Sequence, residues 1–414
     1  MKTLNQKKLL ILGAGRGQIG LYKAAKSLGV RTIAATMHGE KLPCLPFADD
    51  VCWVNIANPD EVLEKASHLE IDGIATSCLD TGVRSLGKVC DALKLTGLSE
   101  ASAKLCNDKL MMKQALIRHK VNTARFYKVT NQEELQQALN KLQFPVVIKA
   151  IDLQGSNGVY ICHSTQEALE SFLLVQSKTK QDFCLIEEFI DGLEFGAQAF
   201  VYQGEVLFVM PHGDTIIKGH TPVPIGHYVP FSKDKQLLSK IELIVKQAIQ
   251  ALGLNNCAVN VDLILKDKQL YIIELTGRVG ANCLPEIVSA HFNLDYYQLI
   301  LLMSLGENPL EYWHTRKVSE KSVSSSMIFE SRNTGILDSI CYQGEENPDI
   351  LDLNFFKSKG DEVRVFENSN DCIGQVIVQA NTENACREYL AEVLKKIKIT
   401  LQKSYGLWFL GIFE

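Results

Sequence analysis

The stretch Val259 to Asn282, VNVDLILKDKQLYIIELTGRVGAN, holds Asp262, Glu274 and Arg278 within a short span. Apolar residues alternate on both sides of a polar turn at Lys266, Asp267 and Lys268, the pattern of two strands of a hairpin. A side-chain period of two puts Asn260, Asp262 and Ile264 on one face, and Ile272, Glu274, Thr276 and Arg278 on one face of the return strand. A three-residue turn makes those faces coincide. Two carboxylates and a guanidinium on one surface are costly in a core and useful for gathering a divalent cation and phosphate oxygens. A surface hairpin carrying ordinary charges is the plain alternative. Residues upstream separate the two readings.

Lys149 ends the β-rich run Phe144 to Ala150, on the face opposite Val146 and Ile148. A polar loop follows, with Gln154, Gly155, Ser156, Asn157 and Gly158. Consecutive backbone N–H groups in such a loop cradle a polyphosphate, and its glycines let the chain approach closely; a simple hairpin loop is the alternative. Lys109 falls among Leu105, Met112 and Leu116 on the apolar stripe of a helix expected from a Ser99 cap to about Arg118. It reads as a snorkelling lysine or a phosphate ligand. In the apolar run Phe183 to Ile190, Glu187 and Glu188 precede Phe189 and Ile190, and Glu194 comes shortly after. Backbone groups there suit adenine, with an acidic side chain for its amino group or for ribose hydroxyls, unless the strand simply runs to a solvated end. Lys218, His220 and His227 lie in Pro211 to Pro230, which lacks periodicity and is expected to be an irregular loop near a substrate. Isolated histidines more often satisfy local hydrogen bonds.

The elements that must position these groups begin with the strand Lys8 to Leu12, the turn GAGRGQIG and a helix over Leu21 to Leu28. The runs RTIAAT, DVCWVNI and GIATS add strands, so residues 1–100 read as an open α/β unit. Gly15, Gly17 and Gly20 satisfy GxGxxG, yet the second strand ends Ala34-Ala35-Thr36-Met37 without the acidic residue of a dinucleotide site. A tight turn with close helix packing is the favoured reading of those glycines. Helices are expected at Asp234 to Leu252 and Leu284 to Leu305. Beyond Glu307 come the short strands SSSMIFE, EVRVFE and IGQVIVQA and a Thr382-capped helix from Glu383 to about Lys398.

The chain has 414 residues, room for two or three domains, and a formal charge of −5 with scattered basic residues. Neither nucleic acid nor an anionic membrane is therefore expected as the main partner. The 12 cysteines form no CxxC pair or Cys/His ligand spacing, and many sit in apolar runs. They read as reduced, buried small side chains of a cytoplasmic protein. The N-terminal apolar run is short and enters glycines, unlike a signal peptide, and no apolar run suits a bilayer span.

In the order Lys109, Lys149, glycine loop, Glu187 to Glu194, hairpin, the chain resembles ATP-grasp carboxylate–amine ligases, with L-amino-acid ligases and the biotin carboxylase and carbamoyl phosphate synthetase-like members as nearest types. The resemblance implies a mixed α/β and α+β architecture, the ATP-grasp fold. Its parts would be a Rossmann-like pre-ATP-grasp domain over 1–100, an ATP-grasp domain over 101–310 with a small lid at about 122–190, and a C-terminal α+β portion over 311–414 completing the core. It also implies roles. Lys109 and Lys149 would contact ATP phosphates under the loop Gln154 to Gly158. Glu187 and the backbone of Glu188, Phe189 and Ile190 would read adenine, and Glu194 the ribose. Asp262, Glu274 and Thr276 would hold Mg2+ or Mn2+, with Arg278 beside an acyl phosphate. Thr276 departs from the family pattern, which usually places Asn there. The implied partners are a small carboxylate and an amine, with a homodimer as the assembly. A purine-pathway relative acting on a glycinamide or aminoimidazole ribonucleotide is the runner-up. A nicotinamide-dependent oxidoreductase, resting on GxGxxG, and a non-catalytic nucleotide-binding protein are the readings from other classes.

Overall fold

The computed structural model describes residues 3–39, 42–152, 158–217, 223–316, 322–366 and 371–402. It opens with β1 (Lys8–Leu12), α1 (Ile19–Ser27), β2 (Arg31–Thr36), β3 (Asp50–Trp53), α2 (Pro59–Leu69), β4 (Gly73–Ala75) and α3 (Val83–Leu93). These strands form a parallel sheet of order β3-β2-β1-β4. The glycine turn after β1 is consumed by packing: a Cβ on Gly20 would lie 2.1 Å from the Tyr297 ring, and one on Gly17 2.7 Å from the Cys78 Cβ.

The helix expected from Ser99 to Arg118 is two helices, α4 (Glu100–Asn107) and α5 (Lys109–Arg118). Asp108 stops one and caps the next, its carboxylate accepting from the Met111 N–H at 2.9 Å. Apolar periodicity runs straight across this break, which is why it reads as a single helix in sequence. Lys109 is consequently the first residue of α5, not the middle of a stripe.

A four-stranded antiparallel sheet of order β5-β8-β6-β7 follows, built from β5 (Phe126–Val129), α6 (Gln132–Leu139), β6 (Val146–Lys149), β7 (Val159–Cys162), α7 (Thr165–Lys178) and β8 (Cys184–Glu188). Val129, Leu135, Ile148, Phe172 and Ile186 give this small unit a core of its own.

The main sheet is formed by β9 (Leu193–Tyr202), β10 (Glu205–Ile217), β11 (Val223–Val229), β12 (Cys257–Lys266) and β13 (Gln269–Thr276), backed by α8 (Lys235–Ala251) and followed by α9 (Leu284–Phe292), α10 (Tyr296–Ser304) and α11 (Pro309–Arg316). The expected loop Pro211 to Pro230 is mostly strand. β10 pairs with β11 only from Gly213 onward, so Pro211 stands where that edge needs no ladder donor. The expected helix Leu284 to Leu305 is likewise divided, because Asn293 adopts a left-handed φ of 52° and Asp295 caps α10.

The remaining elements are β14 (Val323–Phe329), β15 (Gly335–Tyr342), β16 (Ile350–Phe355), β17 (Glu362–Val363), β18 (Gly374–Ala380), α12 (Glu383–Lys395) and β19 (Ile397–Leu401). Three of them extend the main sheet to eight strands, β13-β12-β9-β10-β11-β14-β18-β16, while β17-β15-β19 make a separate sheet. Thr382 caps α12 as expected, but the helix stops at Lys395, and Ile397 belongs to β19, not to the helical stripe. Among the described residues no helix is long and apolar enough to cross a membrane.

Candidate active site

Four neighbouring strands of the main sheet carry most of the polar groups. Asp262 on β12 stands opposite Glu274 on β13, and Asn260 opposite Thr276. This alignment arises differently from the expected three-residue turn. Lys266 pairs with Gln269, so the turn is Asp267-Lys268, both with left-handed φ (49° and 63°). A two-residue turn alone would set Asp262 against Ile273. A bulge between the Asp262 and Leu263 positions inserts one residue, returns Glu274 to the Asp262 face and sends Ile272 into the core opposite Leu263. Ile272 therefore does not share the face of Glu274.

Along the same row, Asp262 aligns with Gly196 on β9, and Gly196 with His212 on β10. A Cβ at Gly196 would lie 2.3 Å from the His212 ring, so only glycine lets that imidazole lie over β9. Asn260 aligns with Gln198 in the row on one side, and Asp214 with His227 in the row on the other. Polar side chains are linked across the face. The Gln198 amide donates to Asn260 Oδ1 at 2.6 Å, and Asn260 Nδ2 donates to Asp262 Oδ1 at 3.2 Å. Part of the Asp262 side chain stays open to solvent, yet protein surrounds it closely enough that burial, then the charges of Glu274 and Asp214, push its carboxyl up to about 7. Crowded anions of this kind are relieved by a cation.

Basic groups face this row from α5 and β6. Lys109 Nζ lies 3.4 Å from Glu274 Oε1. One helical turn further on, Lys113 Nζ is 3.0 Å from Glu187 Oε2, while Lys149 Nζ is 2.7 Å from Glu187 Oε1. All three members of this second cluster are buried. Burial works to raise the Glu187 carboxyl, but Lys113 and Lys149 outweigh it and hold it below its ordinary range. Burial dominates at Lys113 and brings its ammonium down to about 8, against the pull of Glu187. Glu187, expected to contact adenine, instead has a lysine on each oxygen and ties β8 to β6 and α5.

Arg278 is held by Asp80, in the turn after β4, through Nε to Oδ1 at 2.8 Å and Nη2 to Oδ2 at 2.5 Å. Thr276 Oγ1 donates to the same Asp80 Oδ1 at 3.1 Å. Glu188 pairs with Arg125 at 3.3 Å, and Glu188, Phe189 and Ile190 line a hollow of about 110 Å³ together with Lys266, Asp267, Gln269 and Tyr271. Glu194 is exposed at the start of β9. Gln154, Gly155, Ser156, Asn157, Lys218 and His220 lie outside the described residues; Gly158 is described, with φ 72°.

Sequence reasoning missed Lys113, Asp80, Gln198, His212 and Asp214. Lys113 sits four residues after Lys109, and His212 and Asp214 two apart, so both follow helical and strand spacing once the elements are known. Asp80 and Gln198 carry no sequence signal.

A mixed α/β and α+β chain, with a small antiparallel sheet facing a large one across lysines and carboxylates, is the ATP-grasp architecture. Residues 107–281 match the family described as phosphoribosylglycinamide synthetase, ATP-grasp (A) domain, and residues 329–402 match L-amino acid ligase C-terminal domain 2. The crystal structure of phosphoribosylglycinamide synthetase from Anaerococcus prevotii is 50% identical with a TM-score of 0.84, over 96% of this chain and 100% of that one. The chain belongs to the ATP-grasp family. The L-amino acid ligase from Bacillus licheniformis superposes with a TM-score of 0.83 at 21% identity, over 97% of this chain and 100% of that one, which is a likeness of fold. Alanine–anticapsin ligase of Bacillus subtilis is 26% identical over 267 residues, 58% of this chain; the match spans only 56% of that ligase's length.

Proposed function

We propose that this protein is an ATP-dependent carboxylate–amine ligase that forms an amide or peptide bond through an acyl phosphate, acting on an amino acid or another small carboxylate. The observation that carries this reading is the meeting of Lys109 with Glu274, directly across the hairpin from Asp262, beside the buried Lys113–Glu187–Lys149 cluster. Those groups supply positive charge for a triphosphate and a carboxylate pair for its counter-ion. Phosphoryl transfer needs positioning and charge neutralisation more than a dedicated nucleophile.

In this reading Lys109 and Lys149 bind the phosphates, and the backbone at Glu188 to Ile190 lines the adenine hollow. Glu194 serves the ribose, and the loop Gln154 to Gly158 closes over the nucleotide. The substrate carboxylate attacks the γ-phosphate, and an amine then displaces phosphate from the carbonyl carbon. Arg278, fixed by Asp80, is placed to neutralise charge on the acyl group. Asp262 and Glu274 fit Mg2+ or Mn2+, because a cation offsets the burial and the neighbouring charges that together lift Asp262. Thr276 Oγ1 donates its hydrogen to Asp80 and keeps its lone pairs, with which it would join them directly or through water. Bound there, the metal would offset the negative charge of the transferred phosphoryl group. We read residues 1–100, 101–310 and 311–414 as the pre-ATP-grasp, catalytic and closing portions, with the lid within 122–190. Twelve cysteines, all free, support a reducing compartment such as the cytoplasm.

A ribonucleotide substrate is the second reading, favoured by the 50% identity to the Anaerococcus prevotii protein. The test is a screen of single amino acids and small carboxylates, paired with amines, for coupled ADP and phosphate release and for product by mass spectrometry. Phosphoribosylamine with glycine forms the ribonucleotide arm. Product only in that arm replaces the amino-acid reading; ADP in no arm removes the ligase.

A further inference from the structure

Asp214 lies between two imidazoles. Its Oδ1 is 2.9 Å from Nδ1 of His212 and 2.7 Å from Nδ1 of His227. Burial works upward on this carboxyl, but the two histidines outweigh it and keep it ionised well below its ordinary range. An ionised oxygen only accepts, so each ring donates through Nδ1–H, which leaves Nε2 as the atom at which it can take up a proton.

The two Nε2 atoms differ. That of His212 lies 3.4 Å from the Gln198 amide nitrogen, which also donates to Asn260, while the Gln198 oxygen takes the Gly280 N–H at 2.9 Å. Burial, opposed by Asp214, lowers the basicity of His212 further. His212 is thus committed as an acceptor within the network that leads to Asp262. Nε2 of His227 is also buried, and among the described residues it has no hydrogen-bond partner. A buried acceptor without a donor gains nothing for its lost hydration, which marks a place for an N–H or O–H from a ligand. The Asp214 carboxylate against its other nitrogen gives its surroundings negative charge, which suits a cationic group.

We propose that His227, backed by Asp214, accepts the proton from the ammonium of the second substrate; this rests on the ligase reading above. The N–H bond of the ammonium breaks, its proton goes to Nε2, and the resulting imidazolium is held by the Asp214 carboxylate. The freed lone pair forms the C–N bond, the carbonyl C–O bond to phosphate breaks with its electrons leaving on phosphate, and the departing phosphate takes the second proton from the new amide nitrogen. His227 thereby acts in the second half of the reaction and not in acyl phosphate formation.

The two halves separate with hydroxylamine, a nucleophile unprotonated at neutral pH. Each standard amino acid is offered with ATP and Mg2+, first with hydroxylamine and then with a second amino acid as acceptor. Substitution His227→Asn keeps an N–H for Asp214 and deletes Nε2; His227→Gln retains a polar group near Nε2 that cannot hold the proton. Both variants are compared with the wild type by thermal melting. In each, amide formation should fall at least about 100-fold, while hydroxamate formation falls far less. Equal losses in both assays, or amide formation retained, would overturn the role of His227. A transition metal that copurifies with the wild type and is lost in His227→Asn would overturn it too, because the triad would then be a metal site. Absence of hydroxamate from the wild type with every amino acid would instead remove the amino-acid ligase reading on which the proposal stands.

Discussion

Replacing Glu187 by Gln removes the anion that two buried lysines share, and its cost follows from the Lys113 ammonium. Folding already lowers that group from 10.5 to about 8, which at about 1.4 kcal/mol per unit is a penalty of about 3 kcal/mol below pH 8. If Lys113 folds neutral at pH 7, the penalty reaches its ceiling, about 5 kcal/mol, one pH unit beyond the present one, so loss of Glu187 adds no more than about 1.4 kcal/mol through this residue. Lys149, 2.7 Å from the same carboxylate, also loses its partner. Together they bring the expected destabilisation to about 3–5 kcal/mol, the range for breaking a buried ion pair. The loss should grow as pH falls, since the ceiling for a neutral lysine rises with every unit, and shrink between pH 7 and 9. Urea denaturation of Glu187→Gln at pH 6, 7 and 9 measures this, with Glu188→Gln as a half-buried control. A change below about 1 kcal/mol, or one independent of pH, would refute the buried triad as the tie between the small sheet and α5.

Alkaline pH should destabilise the protein from about pH 9. Burial raises the thiols of Cys44, Cys78, Cys90, Cys106 and Cys184 from 9.0 to about 12, so the unfolded chain releases protons first and stability falls by about 1 kcal/mol per thiol per unit. Lys113 works the other way from pH 8, because its folded form loses its proton earlier. Melting temperatures should therefore stay level up to about pH 9 and then drop; a steady rise beyond pH 9 contradicts the thiol burial. Asp80→Asn removes the charge that fixes Arg278 and should lower turnover about ten-fold or more with little change in the KM for ATP, as read from initial rates. Gly20→Ala sets a methyl 2.1 Å from the Tyr297 ring and should cost about 1–3 kcal/mol in denaturant unfolding.

Much of the fold was legible because periodicity and caps mark it. The helix at Asp234, the Thr382 cap and the Asp262/Glu274 hairpin are local signals. Breaks inside apolar periodicity were not, since Asp108 and Asn293 interrupt helices without disturbing the stripe. The hairpin shows how a correct alignment can rest on an incorrect path: a shorter turn and a bulge together restore the face that a longer turn alone would have given. Lysines and carboxylates could be nominated singly, but pairing depends on tertiary approach. Lys113 and Glu187 are 74 positions apart, and Arg278 meets Asp80 across 198. No spacing rule reaches that far.

The transfer of carboxylate oxygen to phosphate tests the proposed chemistry most directly. A carboxylate substrate found in the ADP-release screen is labelled with heavy oxygen in its carboxyl group, and the inorganic phosphate released with ADP is analysed by mass spectrometry. Attack of that carboxylate on the γ-phosphate predicts phosphate carrying a single heavy oxygen in proportion to product formed. Unlabelled phosphate alongside ADP, or AMP with pyrophosphate, would contradict it.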